Sequence, residues 1–177
     1  MEEKYAKLAY CSRYAFSAAR SQRTLEEAAP DSVLSFRYLG HIFVKAAPES
    51  WEMTENGTRA VWSPLPGVQV VTELLLCKGG HLRRQTVTSE IACEAFDAGF
   101  AIPDDCPGAA HSCTAAAARA EHPGGFCAVE DLTGRGTPLL LDPVPNTSLQ
   151  YPRTVIPMVQ YAIYPGTTVL ETKVTFA

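Results

Sequence analysis

The chain has 177 residues, 46% of them hydrophobic, with 19 acidic against 15 basic side chains and a formal net charge of −4 at pH 7. That is enough chain to bury a real core in one domain, and with Arg83-Arg84 as its sole basic doublet it offers no basic stripe to a nucleic acid. No run approaches the roughly 20 apolar residues of a membrane span, and the charged start Met1-Glu2-Glu3-Lys4 has no apolar signal region, so a cytoplasmic protein is expected, or a secreted one if the chain is a fragment of a longer protein, with neither nucleic acid nor membrane as partner.

Strand signals dominate from the N-terminal stretch onward. Ser32 to Tyr38 alternates, Leu39-Gly40 turns, and His41 to Lys45 continues, which predicts a β-hairpin. Asn56-Gly57 is a turn dipeptide, because both residues tolerate positive φ; it lies between Trp51-Glu52-Met53 and Arg59 to Trp62. Gly67 to Leu76 is a longer strand rich in β-branched residues, and Lys78-Gly79-Gly80 turns it into His81 to Thr88. Glu94 to Ile102 and Phe126 to Leu132 read as further strands. Pro103 to Ala110 is the clearest break in composition and reads as an exposed loop, not a domain boundary. Thr114 to Glu121 carries an alanine run that suits a short helix and a small-residue strand equally. Val155 to Ile163, a turn at Tyr164-Pro165-Gly166 and Val169 to Phe176 close the chain. The expected fold is all-β: one antiparallel sandwich of ten to twelve strands over residues 1–177, with little helix.

The segment Pro145 to Pro157 holds three prolines in thirteen residues, which argues against a helix interior or a central strand. It predicts a structured crossing between two strands, with Asn146 as turn former and Arg153 as a donor to loop carbonyls.

Several side chains invite a functional reading. His81, Arg83 and Arg84 suit an anionic sugar, since arginine pairs carboxylates bidentately; they equally suit solvated charges on an exposed strand. Trp51 and Trp62 suit stacking on sugar rings, or packing plugs at a strand entry. Six cysteines stand at 11, 77, 93, 106, 113 and 127. Cys11, Cys77 and Cys93 lie in apolar runs and read as small buried hydrophobes, and reduced thiols are expected. Cys106, His111, Cys113, His122 and Cys127 lack the paired spacing of a zinc site, so no metal and no cofactor are expected. Asn56-Gly57-Thr58 and Asn146-Thr147-Ser148 are formal glycosylation sequons. There is no Gly-x-Ser-x-Gly elbow. The carboxylate pairs Asp104-Asp105 and Glu130-Asp131 fix no distance across a cleft.

Four blocks in order resemble one family. They are Glu3 to Ser12 with Phe16-Ser17; Trp62-Ser63-Pro64-Leu65-Pro66-Gly67-Val68 with Thr72; His81-Leu82-Arg83 with Gly99 to Ile102; and Pro145 to Pro157 with Gly166 and Leu170. Together they resemble the C-terminal region of the proteins called domain of unknown function 2264 (DUF2264). One departure is Leu8, where the family has an aromatic residue. The resemblance implies a helical (α/α) toroid followed by a β-sandwich, the layout of several polysaccharide lyases and glycosidases, with this chain matching the sandwich alone. It therefore implies a non-catalytic accessory sandwich whose partners are the toroid, as a domain or separate chain, and a polysaccharide. A free-standing glycan-binding module is the alternative, and an independent enzyme on uronic-acid glycans the third reading. No catalytic residue is assigned. Any sugar contact is expected at the matched positions His81, Arg83 and Trp62, with Arg84 beside them.

Overall fold

The computed structural model describes residues 34–44, 48–145 and 153–177. They form fourteen strands: β1 (Leu34–Tyr38), β2 (His41–Val44), β3 (Ser50–Thr54), β4 (Gly57–Leu65), β5 (Val68–Cys77), β6 (Gly80–Ser89), β7 (Cys93–Ala98), β8 (Ile102–Pro103), β9 (Ala110–Cys113), β10 (Ala117–His122), β11 (Gly125–Asp131), β12 (Thr137–Pro145), β13 (Arg153–Ile163) and β14 (Gly166–Phe176). There is no helix among the described residues. One sheet runs β12-β13-β7-β1-β2, with β8 also on β13; the other runs β3-β4-β5-β6-β14-β11-β10-β9. Every pairing is antiparallel. The all-β expectation holds.

The core lies between the sheets. Leu34, Phe36, Ala95, Val155, Val159, Tyr161 and Ile163 from the first sheet meet Trp62, Val70, Val87, Val129, Leu170 and Val174 from the second. Phe36 meets Trp62 edge to face across the gap, with ring centroids 6.0 Å apart. A smaller cluster of Phe96, Ala98, Leu141, Ile156 and Met158 forms on the other face of the first sheet; Phe96 and Ala98 alternate with core-facing Ala95 and Asp97 along β7.

One open reading is settled and three expectations are corrected. The alanine run is a strand, because the Thr114 hydroxyl accepts from the backbone N–H groups of Ala116 and Ala117 and so turns the chain directly into β10. The stretch Glu94 to Ile102 is not one strand but two, β7 and β8, interrupted at Gly99. Pro157 stands inside β13, a central strand. It is tolerated because it lies opposite that interruption: Gly99 N–H donates to the Pro157 carbonyl at 2.8 Å, and no neighbour there requires a proline N–H. Cys77 is exposed rather than buried, since it ends β5 beside the hairpin turn into β6. The count exceeds twelve because β8, β9 and β12 lie in proline-bearing or small-residue stretches that do not read as strands. The N-terminal blocks, Cys11 and Asn146 lie outside the described residues.

Candidate functional site

The alternation of β6 decides the fate of its charged residues. His81, Arg83, Gln85 and Val87 point into the core, while Arg84 and Thr88 point out. Arg83 and His81 are 1% and 0% exposed. Arg83 Nη1 donates to Asp97 Oδ1 of β7 at 2.5 Å and to the Ala98 carbonyl at 2.6 Å, and Arg83 Nε donates to His81 Nε2 at 2.9 Å. Asp97 Oδ2 accepts from Gln85 at 3.1 Å and from the Thr172 hydroxyl. The chain runs on from Gln85, which accepts from Thr72 at 3.2 Å, to Thr72, which accepts from the Trp62 indole at 3.0 Å. This buried polar seam ties the two sheets together through β4, β5, β6, β14 and β7.

Because His81 Nε2 accepts from Arg83, its proton sits on Nδ1, a buried donor with no partner among the described residues. Burial first, then the Arg83 guanidinium, push the His81 pKa down to about 2. The ring packs between Phe100 and Phe176 as a neutral aromatic. Beside the seam, Tyr161 donates to Asp131 at 3.0 Å, and burial with two neighbouring carboxylates pushes the phenol far above its ordinary range.

Of the four residues proposed from sequence to meet sugar, His81, Arg83 and Trp62 are therefore interior. They have no surface to lay on a polymer, which corrects that expectation for all three. Strand alternation turned them inward, and the seam supplies their partners. Arg84 is on the outer face, half exposed, paired with Glu171 at 3.1 Å. Arg153 opens β13, and its carbonyl accepts from Asp104 N–H at 3.2 Å. Among the zinc candidates, Cys127 is buried with Phe100 N–H on its sulfur, the Cys113 thiol donates to the Pro138 carbonyl, and His111 stands 3.5 Å from Asp104. Among the described residues no three His, Cys, Asp or Glu side chains converge.

Two surface features remain. The first is an apolar strip. Trp51 stands opposite Ala60, and Met53 opposite Thr58. Ala60 faces the core, so both share the inner face of the eight-stranded sheet. Leu74, opposite Thr58, and Leu76, two residues on, extend that face. Yet Trp51 is 51% exposed, Met53 69% and Leu76 49%: here the eight-stranded sheet extends past its partner sheet. Sequence reasoning found Trp51 but missed the strip, which exists only once β3, β4 and β5 are in register.

The second feature is a groove of about 970 Å³ at one end of the sandwich. Tyr38, Leu39, His41 and Phe43 of the β1–β2 hairpin form one wall, Ser63 to Gln69 another, and Glu90-Ile91 a third. The wall from Ser63 to Val68 is the Pro-Leu-Pro-Gly stretch singled out from sequence.

The architecture is that of a two-sheet antiparallel β-sandwich domain. Its sequence matches the model of the DUF2264 C-terminal domain over residues 1–177, and the chain belongs to that family. Among curated proteins none matches it. Among solved structures, it is similar to the heparan sulfate lyase HepC from Pedobacter heparinus, with a TM-score of 0.62 and 12% identity, over 84% of this chain and 24% of that one. The 4-alpha-glucanotransferase from Thermococcus litoralis is similar with a TM-score of 0.54 and 11% identity, over 81% and 27%. A polysaccharide lyase matches at 0.48 and 11%, over 81% and 25%. For the first two the likeness is one of fold, and the chain spans about a quarter of each of the three proteins.

Proposed function

We propose that this chain is the non-catalytic accessory sandwich of a larger carbohydrate-active protein, and that it braces a second, helical domain of that protein. The observation that carries this reading is the uncovered inner face at Trp51, Met53 and Leu76. An exposed apolar strip of this kind marks an interaction surface, and aromatic and Met side chains are the types enriched at the cores of such surfaces. The family model describes a C-terminal domain, which leaves a preceding domain to supply the cover. The interior seam supports the same reading from the other side, because its Arg, His, Asp and Tyr groups hold the two sheets to each other.

The test pairs the chain with the N-terminal portion of a full-length family member. The wild-type chain should co-elute with it, and Trp51→Lys with Met53→Lys should abolish co-elution at an unchanged melting temperature. Turnover of a uronic-acid glycan by the isolated chain, or association that survives the double substitution, would overturn the accessory role.

A further inference from the structure

We propose that the groove between the β1–β2 hairpin and the Ser63–Gln69 wall binds a neutral sugar residue of a glycan. The choice of a sugar rests on the carbohydrate-associated reading above, whereas the site itself rests on the groove.

The groove has the make-up of a small-ligand site: an apolar lining with a few convergent polar groups. Phe43, Leu65, Val68 and Ile91 supply the lining. Tyr38, His41 and Glu90 supply the polar groups, and none of the three side chains has a hydrogen-bond partner among the described residues. Tyr38 and His41 face each other as a cross-strand pair, so a phenol and an imidazole reach the groove from the same hairpin face.

Glu90 is exposed, and its backbone is anchored at the turn. Its N–H donates to the Gly67 carbonyl at 2.8 Å, and its Oε2 lies 3.5 Å from where a Gly67 side chain would begin. Gly67 has φ +79°, so the turn suits a residue without a side chain beside the Glu90 carboxylate.

Among the described residues, the lining contains Glu90 as its sole carboxylate and no Lys or Arg. That field disfavours a uronate or a sulfate and suits a pair of sugar hydroxyls, which donate to a carboxylate in charge-assisted bonds. The half-buried rings of Tyr38 and Phe43 offer apolar faces to the C–H side of a pyranose.

A second observation is independent of the groove's shape. Leu39, at the hairpin tip, has φ +49° and is 78% exposed. A bulky residue in the left-handed region is a conformational outlier, and this one also holds its apolar side chain in water. The two-residue loop Leu39-Gly40 requires positive φ at both positions, which accounts for the backbone but not for an apolar side chain placed there in water. Leu39 lines the groove mouth, where it would close over a bound ring.

The experiment is titration calorimetry on the full chain with neutral gluco-, galacto- and mannotetraose, and with tetragalacturonate. At least one neutral tetrasaccharide should bind with a Kd of about 1 mM or tighter. Glu90→Gln should weaken it at least tenfold at an unchanged melting temperature; Tyr38→Ala should weaken it at least tenfold with a lowered melting temperature, since Tyr38 packs against the core, and Tyr38→Phe, which keeps that packing, should retain more affinity than Tyr38→Ala. The Trp51→Lys, Met53→Lys protein should bind sugar like wild type, so loss of the brace and loss of the groove read out separately. No neutral binding, tighter binding of tetragalacturonate, or full affinity in Glu90→Gln would overturn the proposal.

Discussion

Arg83 and Arg84 are neighbours in sequence and opposites in energetics. Arg83 is desolvated, and its charge is matched by an Asp97 that also accepts from Gln85 and Thr172. Removing one partner of such a pair strands the other charge in a low-dielectric interior. Arg83→Met should therefore cost about 3–5 kcal/mol in urea unfolding, whereas Arg84→Met, on an exposed ion pair, should cost under about 1 kcal/mol. A cost for Arg83→Met no larger than that for Arg84→Met would contradict the seam. His81 adds a pH dependence of definite sign. Its pKa is 6.5 unfolded and about 2 folded. Between those values the unfolded chain takes up a proton that the folded chain refuses, so stability falls as pH drops below about 6.5. The slope approaches about 1.4 kcal/mol per pH unit. Thermal melts at pH 7.5 and 5.0 should show this loss in the wild type. His81→Gln, which keeps an acceptor for Arg83, should flatten it.

Elements of this fold are set by small details of pairing. On the outer face of the eight-stranded sheet, Glu52, Arg59, Glu73, Arg84 and Glu171 stand opposite one another in turn across five strands. Each opposite-charge pair adds about 0.2–1 kcal/mol, and both arginines of this row stand between two carboxylates. Across the sandwich, Gly99 separates β7 from β8 where three strands crowd. A Cβ there would stand 2.7 Å from both the Cys127 sulfur and Val129 Cγ2. Gly99→Ala should thus destabilise by about 1–3 kcal/mol through overpacking. A melting temperature equal to wild type would show that the sheets part more readily than this packing implies.

At the scale of the molecule, long-range pairing dominates. β14 zips onto β6 from Gly166↔Ser89 to Thr175↔Gly80, and β13 joins β12 to β7. The seam spans the gap between the two sheets, and the larger sheet overhangs the smaller at Trp51, Met53 and Leu76. That overhang is the feature on which the proposed accessory role rests: a core closed between two sheets, plus one apolar face left exposed.

The amino-acid sequence by itself determined the all-β class, the hairpins at Leu39-Gly40, Asn56-Gly57 and Gly79-Gly80, and the family. Turn chemistry and alternating hydrophobicity are local properties, legible without a partner strand. Even so, the alanine run 114–121 stayed undecided, because small residues suit either state and only the neighbours β9 and β11 settle it as strand. The tertiary structure alone decided which face of each strand is covered. His81 and Arg83 read as surface charges in one dimension and are interior once β7 brings Asp97 against them. Trp51 and Trp62, both stacking candidates, part ways because one lies under the smaller sheet and the other beyond its edge. Burial of a side chain depends on a second sheet whose residues lie tens of positions away, and no local pattern carries that information.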